Sequence, residues 1–157
     1  MTDPAVSGVT RHYITIGERQ LHYRRAGSGP PLIALHRLPR SSKDLLSFMQ
    51  VVGKRFTVIA PDMAGYGNSF SLDTQPISLA PFVDDLKNFL NALGLSQVLF
   101  YGEQAGAALA LTFAVEYSDR VVALAVWDLD LSCSVGPSND TNNPLTPFEP
   151  KWDGSHL

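Results

Sequence analysis

The apolar positions of this chain fall into short blocks whose spacing alternates between the two-residue period of strands and the 3.6-residue period of helices. Two alternating segments, Arg11–Ile16 and Gln20–Arg25, are joined by Gly17-Glu18-Arg19 and predict a hairpin at a sheet edge. After the turn Gly27-Ser28-Gly29-Pro30-Pro31, the continuous run Leu32–Leu35 predicts a strand covered on both faces. Segment Ser42–Val52 carries Leu45, Leu46, Phe48, Met49 and Val52 at helical spacing, with Ser41 or Ser42 as N-cap. A second buried strand, Phe56–Ala60, is closed by Pro61, and the glycines of Asp62–Ser69 predict a loop.

Helical spacing returns over Ser78–Leu93, with Pro81 tolerated in the first turn and Gly94 as the stop. Strand Gln97–Tyr101, helix Ala105–Tyr117 and strand Val121–Trp127 complete a β-α-β alternation. The expected fold class is therefore α/β, a mostly parallel sheet flanked by helices with right-handed crossovers. Beyond Leu131 the composition shifts to Pro137, Pro144, Pro147 and Pro150 interleaved with asparagines, the pattern of an irregular linker. Trp152–Leu157 reads as the start of another helix, so residues 1–131 are expected to be core and 132–157 a linker and the beginning of a lid.

Composition narrows the function class. Of 157 residues, 12 are Lys or Arg and 15 Asp or Glu, and a net charge of −3 without a basic run argues against binding to nucleic acid or an anionic membrane. The longest apolar-rich stretch, Ala105–Val115, is too short to span a bilayer, and no basic-then-apolar leader opens the chain. A single cysteine, Cys133, excludes an internal disulfide or a cysteine-based zinc site and reads as a free thiol. These features lead to the expectation of a cytoplasmic protein with no cofactor and no metal.

The chemistry concentrates at Gly102-Glu103-Gln104-Ala105-Gly106, between a buried strand and an Ala-rich helix. This is the position and glycine spacing of a nucleophile elbow, whose sharp strand-to-helix turn leaves no room for side chains at the flanks. Together with His36-Arg37-Leu38-Pro39, with Pro61–Ser69 and with Asp119-Arg120-Val121, the order of motifs resembles the N-terminal half of the α/β-hydrolase family. The resemblance covers roughly Val9 to Asp130 and is strongest to the branch of epoxide hydrolases, dehalogenases and carbon–carbon bond hydrolases.

The resemblance implies an α/β-hydrolase-like sheet lacking the last two strands, with Gln104 where the family carries a nucleophilic Ser, Asp or Cys. It implies an oxyanion hole from the N–H groups of Leu38 and Ala105, binding residues at His36 and Arg37, and an alternative acid position at Asp128 or Asp130. A carboxamide has no ionisable proton, and no base of the family's triad follows it, so a catalytically impaired hydrolase is expected. Two other readings stay open: a non-catalytic binding or interaction module, and a hydrolase completed by a C-terminal half. Partners expected are a small-molecule ligand, and either self-association or that complementary half. Glu103 is one position off the elbow, Arg37 and Arg40 are expected in solvent, and Asp62 and Ser69 are read as turn-stabilising. His12 and His22 in the hairpin are expected to be exposed, and His156 falls too early for a triad base.

Overall fold

The computed structural model describes residues 8–71 and 78–129. The order of elements is β1 (Val9–Ile16), β2 (Arg19–Ala26), β3 (Pro31–Leu35), a 3₁₀ turn (Ser42–Leu45), α1 (Leu46–Val52), β4 (Thr57–Pro61), α2 (Ala80–Ala92), β5 (Val98–Glu103), α3 (Ala105–Glu116), a second 3₁₀ turn (Ser118–Arg120) and β6 (Val121–Trp127). Six strands form one sheet in the order β1-β2-β4-β3-β5-β6. Strands β4, β3, β5 and β6 run parallel, and the β1-β2 hairpin adds antiparallel at one edge.

Each element expected within the described residues is present, with shifted ends. The helix expected over Ser42–Val52 divides into a 3₁₀ turn and α1, the Ser41 hydroxyl accepting the Lys43 N–H at its start. β5 runs two residues past Tyr101, into the elbow. The central strands are buried as their unbroken apolar runs require. One core forms around Ile33, Leu35, Phe89, Phe100 and Phe113, and a smaller one around Ala34, Leu45, Met49 and Val58. Strand β6 departs from its pattern: its apolar run predicts cover on both faces, yet Val122, Ala123, Ala125, Val126 and Trp127 are exposed. Cys133, Asp130, His156 and the expected linker and lid over 132–157 lie outside the described residues.

His22 is also a correction, because it is completely buried instead of exposed. β2 is paired on both sides, so four consecutive residues from Leu21 to Arg24 are withdrawn from water. Arg11 Nε can only donate, so His22 Nε2 is the acceptor at 3.2 Å and Nδ1 carries the proton to Asp62 Oδ2 at 2.9 Å. The same carboxylate accepts the N–H groups of Ser42 at 2.7 Å and Asn68 at 2.8 Å. Ser69 Oγ donates to the Asp62 carbonyl and accepts the His22 N–H. The turn-stabilising role expected of Asp62 and Ser69 is present, and it reaches beyond the turn to β2 and to the entry of α1. A Cβ on Gly67, whose φ is +58°, would stand 2.1 Å from Asp62 Oδ2, so only glycine lets the loop close over the carboxylate.

Burial alone would raise the Asp62 carboxyl; the His22 ring and the N–H groups of Ser42 and Asn68 outweigh it and hold the carboxyl well below the usual carboxylate range. A depressed folded value stabilises the fold fully above the unfolded value of 3.8 and progressively less below it. Asp62→Ala is expected to cost roughly 3–5 kcal/mol in urea unfolding at neutral pH, because it strands a buried partner set. Below pH 3.8 the parent's urea midpoint should then fall more steeply than the variant's.

Candidate active site

At the end of β5 the chain must turn at once into α3, and Gln104 takes the strain. Its φ of +48° and ψ of −112° lie outside the regions favoured by L-residues. The flanking glycines explain why the turn can be this tight. A Cβ on Gly102 would stand 2.5 Å from the Gly106 carbonyl oxygen, and one on Gly106 would stand 2.4 Å from that of Leu35. The first turn of α3 is thereby pressed onto the ends of β3 and β5, beside the loop that begins at His36.

The Gln104 N–H donates to the Trp127 carbonyl at 3.0 Å, and its side-chain Nε2 donates to Asp128 Oδ2 at 2.7 Å. Asp128 itself has a φ of +53°, a second strained residue at the mouth of the sheet. A cleft of about 250 Å³ opens here, lined by Arg37, Tyr101, Glu103, Gln104, Trp127 and Asp128. Tyr101 stacks on Phe48 at 4.2 Å and donates its hydroxyl to Glu103 Oε1 at 2.8 Å. Burial, and then the Glu103 carboxylate beside it, push the Tyr101 hydroxyl up to about 12, so it remains a donor at neutral pH.

Of the residues singled out in the sequence, the structure brings Gln104, Asp128 and Arg37 together. Glu103 joins them through Tyr101, a pairing with no sequence signal, because Tyr101 and Phe48 meet only through the packing of α1 on the sheet. Leu38 lies in the loop after β3 and packs on the main core, while Ala105 is the first residue of α3. Arg37 and Arg40 are partly exposed, with their Nε atoms 3.8 and 3.6 Å from the Asp44 carboxylate.

His36 lies elsewhere than a ligand-binding residue would. It is fully buried and absent from the cleft lining. Its Nδ1 donates to the Arg37 carbonyl at 2.9 Å and its Nε2 accepts the Met63 N–H at 3.0 Å, so the ring clamps the loop after β3 to the loop after β4. Desolvation lowers its pKa, against the weaker raising effects of the Arg37 carbonyl and the Asp62 charge. No group of three or more His, Cys, Asp or Glu suited to a metal ion occurs among the described residues, and no helix there is long and apolar enough to cross a membrane.

Comparison with known proteins follows the same geometry. The family model of the alpha/beta hydrolase fold matches residues 30–152. A soluble epoxide hydrolase from Corynebacterium sp. (strain C12) is 32% identical over 121 residues, 77% of this chain and 42% of the relative. Bifunctional epoxide hydrolase 2 from Sus scrofa is 34% identical over 143 residues, 88% of this chain and 25% of the relative. Among solved structures, haloalkane dehalogenase DbeA from Bradyrhizobium elkani superposes with a TM-score of 0.72 at 27% identity, covering 77% of this chain and 42% of that one. The chain thus spans less than half the length of each of these proteins.

Two outcomes test the geometry of the site. Gln104→Gly is expected to raise the unfolding free energy by about 1 kcal/mol, since relief of the positive φ exceeds the loss of one exposed hydrogen bond. Gln104→Ala, which keeps the strain, should bring no gain in the same thermal or urea melts. For His36, the unfolded ring takes up a proton below its ordinary value of 6.5 while the folded ring, acceptor for Met63, resists it. Stability should therefore decline as pH falls through 6.5, and His36→Asn should flatten that decline.

Proposed function

This chain belongs to the α/β-hydrolase family, and on that premise we propose that it is a catalytically impaired member whose elbow cleft holds a small polar molecule without turning it over. The observation that carries the reading is the carboxamide of Gln104 at the elbow, the place where covalent chemistry on this scaffold needs a nucleophile. A carboxamide nitrogen is a poor nucleophile and has no proton that a neighbouring base could remove. Here that nitrogen is also committed to Asp128.

The rest of the constellation supports the same reading. Nucleophilic catalysis needs a base within hydrogen-bond reach, and among the described residues no histidine lines the cleft. His22 and His36 each have both ring nitrogens engaged in the interior, and His12 pairs with Thr10 on the far edge strand. Asp128, in the alternative acid position, is occupied by the glutamine instead of a histidine. What the cleft offers is recognition: the Arg37 cation, the Glu103 and Asp128 carboxylates, and the Trp127 ring at its rim.

The purified chain is expected to show no turnover above background on activated esters, epoxides or haloacids. Gln104→Ser and Gln104→Asp should not restore it, because a nucleophile without its base gains little. Turnover that Gln104→Ala abolishes would overturn the reading.

A further inference from the structure

The loop after β4 is held by two sets of hydrogen bonds that respond differently to protons. At Asp62 the carboxylate accepts from His22 and from the N–H groups of Ser42 and Asn68, all of which stay donors on acidification. One residue further on, the Met63 N–H donates to His36 Nε2 at 3.0 Å, a bond the imidazole can accept only while that nitrogen carries no proton. The first set persists until the carboxylate itself is protonated. The second is lost when the ring is.

Protonation spares the other bond of the same ring. His36 Nδ1 donates to the Arg37 carbonyl, which also accepts the Arg40 N–H at 3.0 Å, so the turn from Arg37 to Arg40 is closed on itself in either state of the ring. The Met63 bond, by contrast, crosses from this loop to the next.

The charged groups around the ring already have partners of their own. From the loop after β4, Asp62 is taken up by its three donors, and Tyr66 meets the ring edge-to-face with centroids 6.4 Å apart. From the 3₁₀ turn, Asp44 lies against Arg37 and Arg40, the two cations of the ring's own loop. From β5, Glu103 accepts the Tyr101 hydroxyl. α3 meets the loop at Gly106, beside the His36 carbonyl, and brings no charge there. The fields of the three carboxylates favour a charged ring, and its complete burial opposes them more strongly.

We propose that His36 is a proton-operated clamp: protonation of Nε2 breaks the bond to Met63 and frees the loop after β3 from the loop after β4, which Asp62 continues to hold on β2. Arg37 follows His36 directly and lines the cleft. Acid therefore loosens that side of the cleft while the sheet stays folded, whatever the cleft holds.

Amide hydrogen exchange of the full chain at pH 7 and pH 4.5 separates the two sets of bonds. Protection of the Met63 amide, taken relative to an unstructured chain at the same pH, should fall by roughly tenfold or more, while that of Ser42 and Asn68 changes by less than about twofold. His36→Gln puts a carboxamide oxygen within reach of the place of Nε2, an acceptor that does not titrate, and should abolish the loss at Met63. In the unsubstituted chain the ring nitrogen shifts of His36 and the amide shift of Met63 should titrate with one midpoint, which requires no variant. Equal loss at all three amides would mean general acid unfolding and would overturn the proposal. So would a Met63 amide that keeps its protection while the His36 ring takes up its proton, a ring that stays neutral until the chain unfolds, or a folded glutamine variant in which the loss persists.

Discussion

The contact between the first turn of α3 and the ends of β3 and β5 is the constraint on which the site depends. Two backbones approach there so closely that neither Gly102 nor Gly106 has room for a Cβ. This closeness leaves the intervening residue no relaxed conformation, and Gln104 is forced to a positive φ. It also projects that side chain out of the core, beside Asp128 at the end of β6. Position, strain and hydrogen bonding of the elbow glutamine thus follow from one steric fact. The scaffold can therefore be kept while the residue it presents changes, which is why the fold of this chain and its chemistry have to be argued separately.

Around that contact, the loops are held by buried polar groups as well as by the apolar packing of Leu38, Met63 and Ala64. His36 joins the loop after β3 to the loop after β4, and Asp62 joins the loop after β4 to β2 and to the entry of α1. Each of these side chains is withdrawn from water and has its partners supplied, the condition under which a buried polar group stabilises instead of costing free energy. His36 immediately precedes Arg37 of the cleft, so its two hydrogen bonds fix that loop with a direction that hydrophobic side chains do not provide.

Much of this was legible in the residues themselves. The order of strands and helices came from period and punctuation, and the elbow from its glycines, because both are local consequences of backbone geometry. What could not be read depended on neighbours distant in the chain. His22 looked like a surface hairpin residue, since nothing near it announces that β4 pairs on its far side or that Asp62 lies beneath it. His36 looked like a ligand-facing residue, and only the approach of Met63 uses up its second nitrogen. The pairing of Tyr101 with Glu103 and Phe48 likewise needs the third dimension. β6 failed in the opposite sense, as an apolar run predicts cover but cannot say what provides it.

The strand order has a consequence for how the chain reaches its structure. The β1-β2 hairpin joins residues near in sequence and can close within microseconds, about 1–10 μs for such a unit. β3, by contrast, lies between β4 and β5, and its pairing of Leu32 with Leu99 requires the whole of α1, β4 and α2 to be looped out first. The entropy of closing that loop has to be met before any of the parallel pairing can repay it. The central strand, first of the parallel set to leave the ribosome, is therefore among the last to be satisfied on both sides, and through that interval a wholly apolar strand waits with an open flank.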